Sequence, residues 1–215
     1  MRIRFAANRR GTRSVIIVIR RHTHQLLRPN WWLGLVLVAI LTSGCATTAR
    51  FTAVDTAPVD RLLGLIKERL DAAPAVARTK WNTKAPIEDL LRDKQILDEV
   101  SRGATDYGLD RQVARTFFTA QIDASKVLQN ALHAEWTATG QQPFAKVADL
   151  GKDIRPVLDR LTPAMMRALA EALPVLQQRG GRGLLEAQAR AIVVTGPGGA
   201  AAVREAVAPL LALSR

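Results

Sequence analysis

Cysteine and histidine are scarce in this chain of 215 residues. The single cysteine, Cys45, excludes an intramolecular disulfide framework, because no second thiol exists to pair with it. There are three histidines, and His22 and His24 lie close to the N-terminus, which argues against a histidine metal cluster. No Ser/His/Asp set lies near a nucleophile turn. We therefore expect neither a metal nor any other cofactor, and no triad hydrolase.

Alternating strand patterns are also missing, since the β-branched run AIVV at 191–194 is too short to form a useful strand. Ala, Leu, Arg, Gln and Glu dominate instead, and these residues favour helices. We predict an all-α fold. The expected helices cover about 57–72, 74–83, 87–107, 109–138, 147–177, 181–195 and 199–213. Pro174 is expected to kink or divide the fifth helix. The Gly-rich segments RGGRG (179–183) and TGPGG (195–199) follow no strand and are interpreted as interhelical turns.

Acidic residues are absent from one end of the chain, and this explains most of the net charge of +12. Residues 1–30 contain eight Arg and no Asp or Glu. The remainder has 23 basic and 19 acidic residues, a net charge of only +4. This balance argues against nucleic acid as a partner and suits a small anionic ligand.

The N-terminal segment has the pattern of an export signal. A basic region precedes WWLGLVLVAIL (31–41), whose eleven apolar residues are too few to span a bilayer but match a signal-peptide core. LTSGC follows and resembles a bacterial lipobox, which implies lipidation of Cys45; ordinary cleavage after Ala49 is the alternative. We predict that 1–44 is a signal peptide and 45–56 a linker. The expected location is the periplasm, with a membrane lipid anchor if Cys45 is lipidated.

Polar side chains interrupt the apolar face of the predicted helix 109–138. On a helical wheel, Gln121, Ser125 and Gln129 form an i, i+4, i+8 row inside the arc of apolar residues. Lys126 and His133 fall on the opposite, solvent-facing side. Buried polar groups are costly unless they find partners. The row therefore either hydrogen-bonds to other helices or lines a polar site.

Charged residues show the same irregularity on other helices. Arg69 falls within the apolar arc of the first helix and needs an anion, either a helix carboxylate or a ligand. Asp89, Arg92 and Asp93 share one side of the third helix, which is equally compatible with surface pairing. Arg155, near the start of the fifth helix, is either solvated or directed at a ligand.

Three segments together carry a family resemblance: RLLGLIKERLDAAPAVARTKWNTKAPIEDLLRDKQIL (61–97), RTFFTAQIDASKVLQNALHAEW (115–136) and DLGKDIRPVLDRL (149–161). They resemble the all-helical, AroQ-type chorismate mutases, and among these the exported gamma subclass. The match covers about 57–165, the expected helical core. Residues 166–215 match the additional C-terminal helices of that subclass only in length and helicity, and are expected to extend the same domain.

The resemblance implies roles for four cations. Arg69 and Arg155 correspond to the guanidinium groups that hold the substrate's carboxylates. Lys80, just before Trp81, corresponds to the lysine that binds a carboxylate and the ether oxygen. Arg92 corresponds to the third arginine of the active site.

The resemblance also implies roles for four polar or acidic residues. Asp89, and less directly Asp93, lie where the family handles the substrate hydroxyl. Ser125 corresponds to a Ser or Thr beside a carboxylate, and Gln129 to a Gln or Glu at the ether oxygen.

The implied activity is conversion of chorismate, a small dianion, to prephenate by an intramolecular [3,3] rearrangement. A homodimer is expected because the family is usually dimeric. Two alternatives remain open from the sequence. One is an isochorismate–pyruvate lyase that uses the same cationic cleft; the other is an exported helical lipoprotein without catalysis.

Overall fold

The computed structural model describes residues 53–215, and this part of the chain contains no strand, so the all-α prediction is confirmed. Its helices are α1 Ala53–Asp71, α2 Ala73–Thr83, α3 Leu90–Gly103, α4 Arg111–Ala138, α5 Arg155–Leu176, α6 Gly181–Ala189 and α7 Gly199–Leu213. A 3-10 turn, Ala104–Tyr107, follows α3, and a π turn, Leu150–Ile154, precedes α5. Within 53–215, no helix combines the length and apolarity needed to cross a membrane.

Aspartate caps set the starts of the two helices that carry most of the candidate residues. The Asp110 carboxylate accepts two backbone N–H groups from the first turn of α4, at 2.8 and 3.0 Å. The Asp89 carboxylate accepts the backbone N–H of Arg92 at 3.2 Å. This cap places the start of α3 at Leu90, three residues later than predicted, because an N-cap residue itself lies outside the helix.

Three other helices differ from the prediction, and α5 begins at Arg155 rather than at residue 147. Helix α1 begins at Ala53, inside the expected linker. Helix α6 ends at Ala189 rather than at residue 195, since the β-branched run that follows favours extended backbone. Helix α5 continues through Pro174 to its end at Leu176, undivided. A proline this close to a helix C-terminus removes only one of the last hydrogen bonds, so the helix tolerates it.

Helix α4 lies at the centre of the described fold. It packs against α7 on one side and against α2 and α3 on the other, while α1 packs mainly against α5. Among the largest fully buried side chains of the described residues are Leu62, Ile66 and Leu70 from α1, Phe117, Phe118 and Leu128 from α4, Met165, Leu169 and Leu176 from α5, and Leu210 from α7. The predicted boundary between 165 and 166 falls inside α5.

Glycine makes the close approach of α7 to α4 possible. Gly198, the N-cap of α7, has a φ of 80°, and a Cβ on this residue would lie 2.7 Å from the Ala131 Cβ of α4. Gly180, before α6, has a φ of 90°. Both Gly-rich segments thus begin in interhelical turns, but 181–183 form the first residues of α6 and Gly199 is the first residue of α7.

Candidate active site

A single cleft brings together all eight candidate residues that the sequence pointed to. Its empty volume is about 690 Å³, a figure that includes the solvent at its open mouth. The candidate residues along its wall are Arg69, Lys80, Asp89, Arg92, Asp93, Ser125, Gln129 and Arg155. The cleft is lined by α1 to α5, so residues distant in sequence converge on it.

Helix α4 supplies one wall of the cleft. Ile122, Ser125, Lys126 and Gln129 follow i, i+3, i+4, i+7 spacing, and all four line the cleft. The Gln129 Nε2 donates to the Ser125 Oγ at 3.0 Å. The Gln129 side chain is buried, and its Oε1 has no partner among the described residues. The row therefore presents polar groups that are only partly satisfied.

Gln121, the first residue of the predicted row, does not line the cleft and instead forms a hydrogen bond in the core. Its side chain is fully buried, and its Nε2 donates to the backbone oxygen of Ala206 in α7 at 2.8 Å. Both interpretations of the row are thus realised on the same helix. Gln121 bonds to a neighbouring helix, whereas Ser125 and Gln129 face the cleft.

Three carboxylates in the cleft each pair with one cation. The Arg155 Nη2 lies 3.4 Å from the Asp89 Oδ2, and the Lys126 Nζ lies 2.8 Å from the Asp93 Oδ2. The Arg92 guanidinium forms an ion pair with Asp159. Lys126 also lies 2.8 Å from the Glu88 Oε2, so none of these groups adds net positive charge to the cleft.

Two cations have no carboxylate within ion-pair distance in the described part of the chain, and they are also deeply buried. Arg69 is 5% exposed and Lys80 is 7% exposed. The Arg69 Nε has no hydrogen-bond partner among residues 53–215, and the Lys80 Nζ donates only to the Ile87 backbone oxygen, at 2.6 Å. The residues that line the cleft include five cations and three carboxylates, a net charge of +2, which falls to +1 when Glu88, paired with Lys126 just outside the lining, is included.

Burial changes the acidity of both of these cations. Desolvation lowers the pKa of Arg69 to about 10, against the attraction of the Asp159 carboxylate. Desolvation likewise lowers the pKa of Lys80, although Asp89 and Asp93 oppose the change. Arg69 remains cationic at neutral pH, and neither residue has a carboxylate partner among the described residues that would compensate its burial. A dianion would supply two negative charges at this point.

Two further residues of the cleft were not assigned to it from the sequence. Lys126 was placed on the solvent face of α4, yet its side chain is only 16% exposed and it lines the cleft. Asp159 shares a helix face with Arg155, and this spacing was the available signal. His133, also expected in solvent, lies against the rings of Trp81 and Trp136, with its Nε2 2.9 Å from the Ala77 oxygen.

Some predictions fall outside the described residues. The signal peptide 1–44, the first part of the linker and Cys45 all lie before residue 53. Within 53–215, no group of three or more His, Cys, Asp or Glu side chains could hold a metal ion.

Sequence and structure comparisons agree on one family. The family model for type II chorismate mutases matches residues 59–130. A chorismate mutase from Burkholderia thailandensis, known as a crystal structure, superposes with a TM-score of 0.67 at 35% identity, covering 72% of this chain and 99% of that one. A secreted chorismate mutase of Mycolicibacterium smegmatis is 28% identical over 142 residues, 66% of this chain and 78% of the relative.

A second secreted chorismate mutase, from Yersinia pestis, is 30% identical over 112 residues, which is 51% of this chain and 58% of the relative. The matched region 59–130 contains α2, α3 and the cleft-facing part of α4, so the similarity includes most of the cleft wall. On this agreement of family model, sequence relatives and fold, the chain belongs to the type II chorismate mutase family and is an isomerase.

Proposed function

We propose that this protein converts chorismate to prephenate in the cleft between α1 and α5. The observation that carries the proposal is the pair of buried cations, Arg69 and Lys80, which have no carboxylate partner in a cleft of net positive charge. Chorismate is a dianion of matching charge. Its rearrangement is intramolecular and needs no nucleophile and no proton transfer, which suits a site built from fixed donors.

In this proposal the arginines bind the carboxylates of the substrate. A guanidinium offers two parallel N–H donors to a carboxylate, so it fixes the orientation of the carboxylate as well as attracting its charge. Arg69 and Arg155 hold the two substrate carboxylates, with Arg92 as the third cation and Ser125 as a hydroxyl donor beside one of them. Restricting the substrate to a compact chair conformer brings the reacting carbons together before the bond forms.

Rate acceleration comes from the groups at the ether oxygen. That oxygen gains negative charge as its bond to carbon breaks, so donors aimed at it bind the transition state better than the substrate. Lys80 and Gln129 are these donors. The Gln129 Nε2 turns from the Ser125 Oγ toward the ether oxygen when substrate is bound.

The substrate hydroxyl is assigned to acidic residues at the start of α3. Asp89 lines the cleft and accepts a backbone N–H with one oxygen, which leaves its other oxygen, 3.4 Å from Arg155, able to accept the hydroxyl. Asp93 is the second candidate. These assignments, like those of the cations, rest on the family resemblance and on the convergence of the residues in one cleft.

The direct test is to incubate the purified full-length protein with chorismate and follow the loss of its ultraviolet absorbance, with product identification as prephenate. Turnover at nanomolar to micromolar enzyme is expected. Absence of turnover at micromolar enzyme contradicts the proposal. Release of pyruvate from isochorismate, faster than prephenate formation from chorismate, identifies a lyase instead.

We further propose export to the periplasm, with cleavage before Cys45 and its lipidation. The basic and apolar pattern of 1–44 supports this, as do relatives whose names describe them as secreted. Mass spectrometry of the mature N-terminus tests it: a diacylglycerol-modified Cys45 is expected, and a free N-terminus after Ala49 contradicts lipidation. We also propose a homodimer, testable by light scattering, in which 57–165 is the core and 166–215 extends the same domain.

A further inference from the structure

Lys126 forms the most extensive ion-pair cluster in the described part of the chain. Its Nζ lies 2.8 Å from the Glu88 Oε2 and 2.8 Å from the Asp93 Oδ2, with Asp123 at 3.9 Å. Glu88 and Asp93 flank the N-cap of α3, one on each side of Asp89 and Arg92. A single ammonium group on α4 thus binds both ends of the segment that carries two proposed substrate-binding residues.

Apolar packing does little to hold this segment in place. Val100 is the only buried residue of α3, and it lies near the far end of the helix. Leu90 and Leu91, in the first turn, are 75% and 72% exposed. The position of the first turn therefore depends on polar contacts.

Most of those polar contacts involve groups that the substrate needs. Lys80 donates to the Ile87 oxygen, Arg155 pairs with Asp89, and Arg92 pairs with Asp159. When a dianion occupies Lys80, Arg92 and Arg155, it competes with each of these three contacts. The bridge from Lys126 to Glu88 and Asp93 is the remaining side-chain link from the described part of the chain to this turn, and the proposed chemistry assigns no role to Lys126 or Glu88.

We propose that Lys126 is a positioning residue, which holds Glu88 and Asp93 so that Asp89 and Arg92 stay directed into the cleft while substrate is bound. The inference rests on the proposed function. It also gives Asp93 a different role, because its carboxylate acts through Lys126 rather than on the substrate hydroxyl. Asp89 is then the residue that accepts the hydroxyl.

The protonation state of Lys126 is consistent with this role. Burial acts to lower the pKa of Lys126, but hydrogen bonds to Asp93 and Glu88, together with their negative charge, raise it overall. The ammonium group therefore stays charged throughout the neutral range.

The kinetic test uses Lys126→Met, Lys126→Arg, Asp93→Asn and the double variant Lys126→Met/Asp93→Asn in the full-length protein. Lys126→Met is expected to raise the KM for chorismate at least about tenfold, and Lys126→Arg to restore most of the loss, since a guanidinium also reaches two carboxylates. Asp93→Asn should lower kcat/KM about tenfold when residue 126 is Lys, and less than about threefold when residue 126 has been changed to Met. Lys146→Met, an exposed lysine, is the charge-matched control.

Three results would overturn the inference. Independent, multiplicative effects of Lys126→Met and Asp93→Asn would mean that each residue acts separately. An unchanged KM in Lys126→Met would remove the positioning role. Failure of Lys126→Arg to improve on Lys126→Met would show that the bridge itself is not what matters.

A second measurement keeps the inference separate from the proposed function. Hydrogen exchange of the amides of 87–93, with no substrate present, should be faster in Lys126→Met than in the wild type and close to wild type in Lys126→Arg. Should the wild type fail to convert chorismate, this measurement still decides whether Lys126 holds the turn. If Lys126→Met does not fold, Glu88→Gln/Asp93→Asn provides the same comparison, and unchanged exchange in it overturns the inference.

Discussion

Helices α3 and α4 meet the same cleft but are held in place by different forces. Helix α4 has eleven buried residues and packs against four other helices, so its position is set by apolar contact. Helix α3 has one buried residue, and its first turn is held by ion pairs and a hydrogen bond from Lys80. The wall formed by α4 is therefore positioned by core packing, whereas the start of α3 is positioned by charges that the proposed substrate would partly replace.

This difference separates two kinds of polar residue. On α4, Gln129 is directed into the cleft by a helix that cannot easily rotate, so its substitution should change chemistry with little change in fold. On α3, Asp89 and Arg92 depend on contacts from other helices, so their alignment should be sensitive to substitutions elsewhere. Four substitutions, taken from the largest expected effect to the smallest, test this contrast.

The largest effect is expected for Lys80→Ala, which removes both the proposed donor to the ether oxygen and the hydrogen bond to the Ile87 oxygen. A lost transition-state donor costs about 3–4 kcal/mol, or a hundred- to a thousandfold in kcat, and loss of carboxylate binding should add to it. Steady-state kinetics with chorismate measure this. Lys84→Ala, four residues later at the exposed end of α2, is the control and should retain nearly full activity.

A pH-dependent loss is expected for Gln129→Glu. Burial raises the pKa of a carboxyl group, and only the protonated form could donate to the ether oxygen. The variant should therefore be most active at low pH and lose about tenfold per pH unit above its pKa. The wild-type rate should be flat from about pH 5 to 8. Above that range, the rate should begin to fall at a lower pH than it would with a lysine of ordinary pKa, since burial lowers the pKa of Lys80. A steep wild-type profile between about pH 5 and 8 would contradict the role of Gln129.

A stability effect without a kinetic one is expected for Gln121→Met. This change removes the hydrogen bond from α4 to the Ala206 oxygen of α7, outside the cleft. A typical hydrogen bond contributes about 1 kcal/mol, so Tm should fall by a few degrees while kcat and KM stay near wild type. Thermal unfolding and steady-state kinetics on the same sample check both. A large fall in kcat would show that the two glutamines of α4 are not functionally separate.

The smallest effect is expected for Asp159→Asn, which releases Arg92 from its carboxylate partner. Substrate no longer has to displace that partner, so the KM for chorismate should fall about two- to fivefold. The effect is modest because the Asp159 side chain is 56% exposed and its charge is screened by water. Repeating the measurement at high salt should reduce the difference between variant and wild type. A higher KM would instead mean that Asp159 orients Arg92.

Helical periodicity predicts most of the polar residues that line the cleft, but it does not predict Lys126. Arg69, Ser125 and Gln129 were recognised because each is a polar residue inside an apolar arc, and an arc fixes the direction of Cβ. Lys126 falls on the side of the same wheel opposite the apolar arc, so its direction alone predicts exposure to solvent. Its long side chain bends back into the cleft, because Glu88 and Asp93 of another helix attract it there.

The sequence by itself determined the helical class, most helix positions and the residue types that a dianion site requires, because periodicity and charge are local properties. Only the tertiary structure decided which of those residues meet and which are already neutralised. Gln121 and Gln129 are equivalent by periodicity, yet one faces α7 and the other the cleft. Likewise, Arg69 and Lys80 differ from the other cations of the cleft because Asp89, Asp93 and Asp159 pair with Arg155, Lys126 and Arg92 instead. Pairing of charges depends on distances between helices, and sequence spacing within one helix does not contain that information.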